Sequence, residues 1–486
     1  MRWIVTKIVI GVLFCAASAL AQLPGDTIWT KTYGGIGSDL AREIQPTSDG
    51  GFIVVGDYEM VEDGTNGIYL LRLNSSGDTL WTRVHCYGPY SIGRSVMETS
   101  EGGFVLGGYS NQPEENGHFY LMKTDSNGDT LWTHRYGGDS YSEAECIRPT
   151  DDGGFILVGT IDSITAGGVV GYAVKTDSAG NSEWEQTYYI GNLNTFHSVE
   201  QTTDGGYIML GGGGFWGNHD IWLVKTDAGG DTLWTAYFSA GDDDYGFGFQ
   251  QTNDGGYIIA GSTWSTTTVN WDVILVKTDS LGIQQWLKRS GQSSNEQAMS
   301  IKLTDDGGFI IAGSTDYGRD GYTDMWLIRA DSSGNIIWTA TYGGAGNEVA
   351  NSVNITATGD FILAGSRDSD TTWADVYVVY ARDGEVSSCL YKLGDINGDG
   401  LRGGGDVTYG VRFFKLIGNR PPDSCYMDST GTWLYVAGDV NGNCEFRGSD
   451  ITRLVAYFKL IAPLQYCHFF PTWPMRGIPK TPAIKD

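Results

Sequence analysis

From Thr27 to Tyr380 the chain is a succession of short apolar runs separated by Gly- and Asp-rich punctuation. Runs such as Phe52-Ile53-Val54-Val55 and Tyr257-Ile258-Ile259-Ala260 are apolar at every position, so the strand each predicts must be covered on both faces. Asp-Gly-Gly precedes most of them (Asp49, Asp152, Asp204, Asp254 and Asp306 lead it). The glycines permit the positive φ of a tight hairpin. Glu101-Gly102-Gly103 and Thr358-Gly359-Asp360 stand in for it elsewhere. A second strand, as in Ile68 to Leu73, Ile221 to Lys225 and Met325 to Arg329, ends in Asp-Ser-x-Gly-Asp or a variant of it, another tight turn. A Trp-Thr-x-x-Tyr strand follows. With a short A/S-x-x-I/V-x-x-T piece, each unit holds four strands.

The unit repeats. Trp29, Trp81, Trp132, Trp184, Trp234, Trp286 and Trp338 are separated by 52, 51, 52, 50, 52 and 52 residues. Four-stranded units at this period, each burying its neighbours, predict a β-propeller. The chain opens on a Trp strand (Thr27 to Tyr33) and closes, after Asp375 to Tyr380, without one. The expectation is therefore a mainly β protein: seven blades, with the N-terminal strand completing the last and removing exposed sheet edges. If the short strand is innermost and the Trp strand outermost, both tight turns fall on one face and both variable loops on the other. Binding belongs on the variable face.

The Asp, Gly and Trp of each junction, as in Asp125, Gly128 and Trp132, resemble the tryptophan-docking repeats of quinoprotein-type propellers and the Asp-box of sialidase-like propellers. Both resemblances imply a propeller whose Trp is a packing element, and imply no cofactor or activity.

Composition narrows the partners. Of 486 residues, 71 are Gly and 12 Pro, with 13% aromatic and 41% hydrophobic, which excludes collagen and simple disorder. A formal charge of −27 repels nucleic acid and anionic membranes. Residues 1–21 carry Arg2 and Lys7, the apolar run Ile8 to Phe14, and Ala19-Leu20-Ala21, the order of a secretory signal peptide. The mature chain is expected to begin at Gln22, secreted or on a bacterial surface. No later segment has the ~20 apolar residues of a membrane span. Cys389, Cys425, Cys444 and Cys467 read as disulfide staples of a small domain, with three pairings open, while Cys86 and Cys146 read as buried thiols.

Past the propeller (22–387) the strongest chemical motif is the loop Asp395-Ile396-Asn397-Gly398-Asp399-Gly400-Leu401, closed by Asp406. Oxygens from Asp395, Asn397, Asp399 and Asp406, the carbonyl of Leu401 and the glycine at the sixth position suit calcium. It recurs as Asp439, Asn441, Asn443, Glu445 and Asp450, with Cys444 at the sixth position, so the second site should bind more weakly. The segments after the loops, Val407 to Ile417 and Ile451 to Ile461, match each other and carry helical apolar stripes. Paired loop-then-helix units with Asp at the twelfth position resemble type I dockerin modules. That resemblance implies a small α-helical, calcium-folded domain at 388–470, a cohesin-like or envelope partner, and the company of polysaccharide-degrading domains. Residues 471–486 read as a flexible tail.

Catalytic chemistry is less marked. Asp39, Glu143, Glu296 and Glu348 recur after the Tyr-Gly-Gly stretch, which fits a turn cap better than paired acid–base carboxylates. The six histidines show no metal spacing. Aromatics of the variable loops, Tyr58, Tyr109, Trp216, Trp264, Tyr317 and Tyr322 among them, suit stacking on a sugar or docking a protein; Trp271 and Trp373 belong to the same group, with strand-edge packing as their alternative reading. The leading expectation is a non-enzymatic propeller that binds a glycan or protein and is attached through its calcium module. A carbohydrate-active hydrolase or lyase, and a structural envelope protein, are the alternatives.

Overall fold

The computed structural model describes residues 24–383, apart from residues 63, 112–116, 164–165, 192, 216–217, 266–268, 292–293, 318–321 and 369–372. It also describes two short strands, Ser424–Met427 and Thr432–Tyr435, which pair antiparallel with each other. Both calcium-loop motifs and their helical stripes lie outside the described residues.

Pro24–Asp383 forms one compact unit of strands; among the described residues there is no α-helix. The fold is propeller-like, built from repeated four-stranded antiparallel units. In the first unit Asp39–Pro46 pairs with Phe52–Met60, that strand with Thr65–Leu73, and that in turn with Thr79–His85. Six such sets run through to Ile336–Tyr342, and single bridges (Asn66 to Tyr90, Val169 to Leu193) join some neighbours. The last set, Glu348–Ile355, Phe361–Asp368 and Ala374–Ala381, takes its fourth strand from the other end of the described chain. Thr27–Tyr33 pairs antiparallel with Ala374–Ala381, Thr32 facing Tyr377.

The all-apolar strands find their two-sided cover between units. Phe52 and Val54 pack with Ile362, Ala364, Val376 and Val378 of the last unit, whereas Ile53 and Val55 turn the other way onto Val96, Phe104, Leu106 and Tyr120 of the second. Successive residues of one strand thus serve two separate cores, as the period-2 alternation of a strand dictates. Such cores fall between every consecutive pair of units and again between the last and the first.

Outer strands lock to the next unit by a repeated device. The indole of Trp29 lies against Gly77, Trp132 against Gly180 and Trp184 against Gly230, and an added Cβ at those glycines would stand 2.8–3.0 Å from the ring. Each of these glycines also has φ near +80°, so both the turn and the indole demand Gly there. The tyrosine four residues after the Trp donates its hydroxyl to the same glycine's carbonyl: Tyr33 to Gly77, Tyr136 to Gly180 and Tyr188 to Gly230, each at 2.6 Å. The series ends with Trp338 against Gly25 and Tyr342 donating to the Gly25 carbonyl at 2.8 Å, so the last outer strand docks on the residues that precede the first.

The Asp-Gly-Gly turns have their own clamp. Asp254 accepts the Thr252 hydroxyl at 2.5 Å, the Gly256 amide at 3.0 Å and the Lys277 ammonium at 2.9 Å. Asp49, Asp152, Asp204 and Asp306 do the same with Arg72, Lys175, Lys225 and Arg329. The turn-hydroxyl bond and the buried cation's bond hold these five carboxyls at a pKa of about 2.

Candidate functional site

The short strands are innermost. All seven line one central cavity of about 340 Å³. Polar side chains stitch them to one another: Glu43 accepts the Val96 amide at 2.9 Å, Glu200 accepts the Gln251 amide at 3.2 Å, Ser300 accepts the Val353 amide at 3.2 Å, and Ser352 accepts the Ile44 amide at 3.3 Å. The last contact joins residues 308 apart in the chain.

Every inner strand carries a β-bulge at the same place, between Ala41 and Glu43 in the first unit and between Ala350 and Ser352 in the last. The seven residues left unpaired are Arg42, Arg94, Glu145, His197, Phe247, Met299 and Asn351, and all seven line the cavity. A bulge re-aims a side chain that an even strand would turn elsewhere. The sequence does hold its signal: the core-facing residues of the inner strand, Ala41 and Ile44 or Ala144 and Ile147, stand three apart, and both members of each pair are wholly buried. Strand period is two, so an odd spacing between residues on one face requires an extra residue between them.

The cavity's charge is unlike that of the whole chain, since four cations (Arg42, Arg94, Arg148, Lys302) meet three carboxylates (Glu43, Glu145, Glu200). Arg42 pairs with the buried Asp57 at 2.6 Å, Arg94 with Glu143 and, at 3.6 Å, with Glu145, and Arg148 with Glu43 at 3.3 Å. Burial first, and then the Glu143 charge, push the Glu145 carboxyl up to about 7 against the pull of Arg94. A quarter of its side chain faces open volume, but that volume is walled by protein, so desolvation governs it. Burial and the Arg94 charge lower His197 to about 4, so its imidazole is neutral at pH 7. Cys146 is a buried thiol, raised by burial; Cys86, against expectation, is exposed, its sulfur 3.9 Å from that of Met60.

The recurring acids divide. Asp39 and Glu348 accept the amides of Gly35 and Gly344, and Glu296 the Ser294 hydroxyl. Ser91, Asn194 and Asp244 occupy the same place and accept the amides of Tyr87, Ile190 and Ala240. This position is a loop cap, as the sequence indicated. Glu143 stands one residue later, where Ser142 is the cap, and meets Arg94 instead.

At the loop end of the inner strands a second cavity, of about 380 Å³, is lined by Thr195, His197, Tyr245, Phe247, Ser262, Trp271 and Gln297. A path of rings crosses it: Trp264 to Trp271 at 5.3 Å between centroids, Trp271 to Tyr245 at 5.8 Å, Tyr245 to Phe247 at 6.3 Å, and Phe247 to His197 at 5.2 Å. Of the loop aromatics singled out in the sequence, Trp264 and Trp271 belong to this path. Tyr58 meets Tyr69 at a tilt, 5.3 Å between centroids, and closes over Gly35, while Tyr109 meets Tyr141 at 5.5 Å and closes over Gly117. Tyr317 and Tyr322 are each 47% exposed, and Trp216 lies outside the described residues. Tyr245 and Phe247 escaped notice because they sit in the inner strand, not in a loop.

Asp243, His219 and Tyr245 are in contact, but Asp243 and the Tyr245 hydroxyl both approach the same nitrogen, Nδ1, at 3.2 Å, and Nε2 is buried without a partner. A relay needs its acid and its nucleophile on opposite ring nitrogens, so this triple does not make one. Among the described residues no group of three or more His, Cys, Asp or Glu side chains is placed to hold a metal ion. Nor is any described helix long and apolar enough to cross a membrane.

No family model matches the chain, and no curated protein matches it. Solved structures similar to it include Chaetomium thermophilum Sqt1 bound to the N-terminus of ribosomal protein L10, 11% identical, with 74% of this chain and all of that one covered and a TM-score of 0.44. The Pan2 WD40 domain of Neurospora crassa is 9% identical over 74% of this chain and 95% of its own, with a TM-score of 0.43. A puromycin hydrolase is 12% identical over 74% of this chain and 55% of its own, with a TM-score of 0.46. Likenesses this low say nothing of activity, and the propeller-like description stands on the strand pairing itself.

Proposed function

We propose that the protein is a secreted, non-enzymatic, seven-bladed β-propeller that binds a glycan or protein on its loop face, and that residues 388–470 attach it, with calcium, to a cohesin-like or envelope partner. One observation carries the binding half: seven copies of one bulged strand present seven side chains, no two adjacent units alike save Arg42 and Arg94, to the lining of one cavity. Packing needs would repeat with the backbone, as the outer Trp strands do; a ligand with no sevenfold symmetry would not. The attachment half rests on the paired calcium loops, in which Asp395, Asn397, Asp399, Leu401 and Asp406 form the stronger site and Asp439, Asn441, Asn443, Glu445 and Asp450 the weaker.

The test is capture by the chain from Gln22 onward, on insoluble polysaccharides and on envelope fractions, with calcium and with chelator. Retention on a polysaccharide or protein in either condition, with an envelope partner added only in calcium, is the expected pattern. Release of soluble sugar that ends on substituting one carboxylate overturns the non-enzymatic reading. The Glu145 carboxyl, raised to about 7 chiefly by burial and standing beside Glu143, favours that second reading, since a carboxyl raised toward neutrality next to a second carboxylate suits a general acid. Glu145→Gln is the substitution that decides it.

A further inference from the structure

The cavity at the loop end differs from the central one in a way that specifies its ligand. Four of its seven lining residues are an aromatic or imidazole ring and three are a hydroxyl or amide; none is aliphatic and none carries a formal charge at pH 7. His197, the one group able to charge, is kept neutral by burial. Its Nε2 already exchanges a hydrogen bond with Thr195 Oγ1 at 3.1 Å. Trp271 and Tyr245 meet at an interplanar angle of 49°, so the two rings flank a wedge and do not cover each other. Ser262, wholly buried and with its hydroxyl lacking a hydrogen-bond partner, also lines this cavity. A buried hydroxyl left unsatisfied costs roughly 1–3 kcal/mol, and one lining a cavity of about 380 Å³ can be satisfied by whatever fills that cavity. The volume lies near the lower end of the roughly 300–1,000 Å³ typical of small-molecule sites.

We infer that this cavity is the binding subsite for a neutral sugar unit of a glycan chain, stacked on Trp271 and Tyr245 and hydrogen-bonded by Ser262 and Gln297. The inference rests on the ligand-binding reading above and narrows it. A pyranose has apolar C–H faces and a polar hydroxyl edge, so it wants flat aromatic surface beside neutral donors and acceptors. An anionic sugar would bring a carboxylate into a cavity with no cation in its lining. An aliphatic peptide side chain would leave the hydroxyl and amide groups unmatched. The path of rings continues to Trp264, which extends the stacking surface beyond one unit.

The experiment is a fluorescence and calorimetric titration of the full chain with neutral hexasaccharides (cello-, xylo-, manno- and chito-oligosaccharides) and with hexagalacturonate. The expected result is saturable binding of at least one neutral oligosaccharide, with a shift in tryptophan emission. Trp271→Ala should weaken it at least tenfold and Ser262→Ala several-fold, with near-ultraviolet circular dichroism preserved. If Trp271→Ala fails to fold, Gln297→Ala, on a half-buried strand position, serves in its place, with a several-fold loss expected. Binding of hexagalacturonate alone, or neutral binding indifferent to all three substitutions, overturns the subsite but leaves a binding propeller standing. Absence of binding to every neutral oligosaccharide, together with retention of an envelope protein on the loop face, also overturns it. Absence of any ligand in both assays overturns the broader reading.

Discussion

The outer and inner strands of this fold repeat the same number of times, but in opposite currencies. Outer strands repeat their side chains: a Trp against the next unit's glycine and, at most junctions, a Tyr hydroxyl on its carbonyl, through to Trp338 and Tyr342 on Gly25. Inner strands repeat their core-facing residues and a backbone distortion, but the residue that the bulge exposes changes from unit to unit. A packing contact is the same problem at each junction and so has one solution. A cavity wall faces a single asymmetric space, so each copy is free to differ. Where a repeat protein keeps the backbone and varies the side chain is where its ligand chemistry should be sought.

Removing residues 24–33 tests the outer device most severely. It strips the fourth strand from the last unit, bares the edge of Ala374–Ala381 and takes away the Gly25 dock, so cooperative unfolding should be lost or the midpoint fall by more than about 10 °C in a calorimetric scan. Gly180→Val comes next: a β-branched residue at φ +83° costs about 1–3 kcal/mol in the backbone alone, and its Cβ would stand 2.6 Å from His134 and 2.9 Å from Trp132. Denaturant titration should show at least that loss. Asp254→Asn leaves the buried Lys277 ammonium holding a carbonyl but no carboxylate, an expected loss of about 1–3 kcal/mol by the same titration. The five clamped aspartates have carboxyls lowered to about 2, so the stability they contribute is complete above the unfolded value near 4 and is lost as pH falls toward 2. Melting followed from pH 6 to pH 2 should fall most steeply in that window, and Asp254→Asn should flatten it. Met299→Ala, on the inner ring, should change stability by less than about 1 kcal/mol; a larger loss would show that the bulge residues hold the fold and do not merely face the cavity.

Much of this was readable in the chain. The tryptophan spacing, the Asp-Gly-Gly hairpins and the strands apolar on both faces each have a local chemical cause, so the unit, its turns and its neighbours' cover follow from residues close together in sequence. The Asp254–Lys277 clamp did not stand out, because its two halves lie 23 residues apart and each alone looks like ordinary turn or strand-end polarity. The bulge was visible as the odd Ala41–Ile44 spacing, but recognising it requires knowing that both residues share a face. The loop-end cavity was hidden for a different reason: Thr195, Tyr245, Ser262, Trp271 and Gln297 come from three units and from three strand positions within them. No periodic argument gathers them. Reading aromatics by loop membership found Trp264 and Trp271 and missed Tyr245, since an inner strand's leading half opens on the same space as the loops.

The closing pair of strands also decides how the ring answers to force. Thr27 faces Ala381, the Asp26 carbonyl accepts the Arg382 amide at 2.9 Å, and the Gly25 amide donates to the Arg382 carbonyl at 3.1 Å, so the two ends of the described ring leave the sheet side by side. Tension applied between them would load the seam in unzipping geometry, breaking one backbone pair at a time, whereas the same strands pulled along their length would resist in shear with all their bonds at once. The seam is therefore a mechanical fuse whose strength depends on the direction of pull.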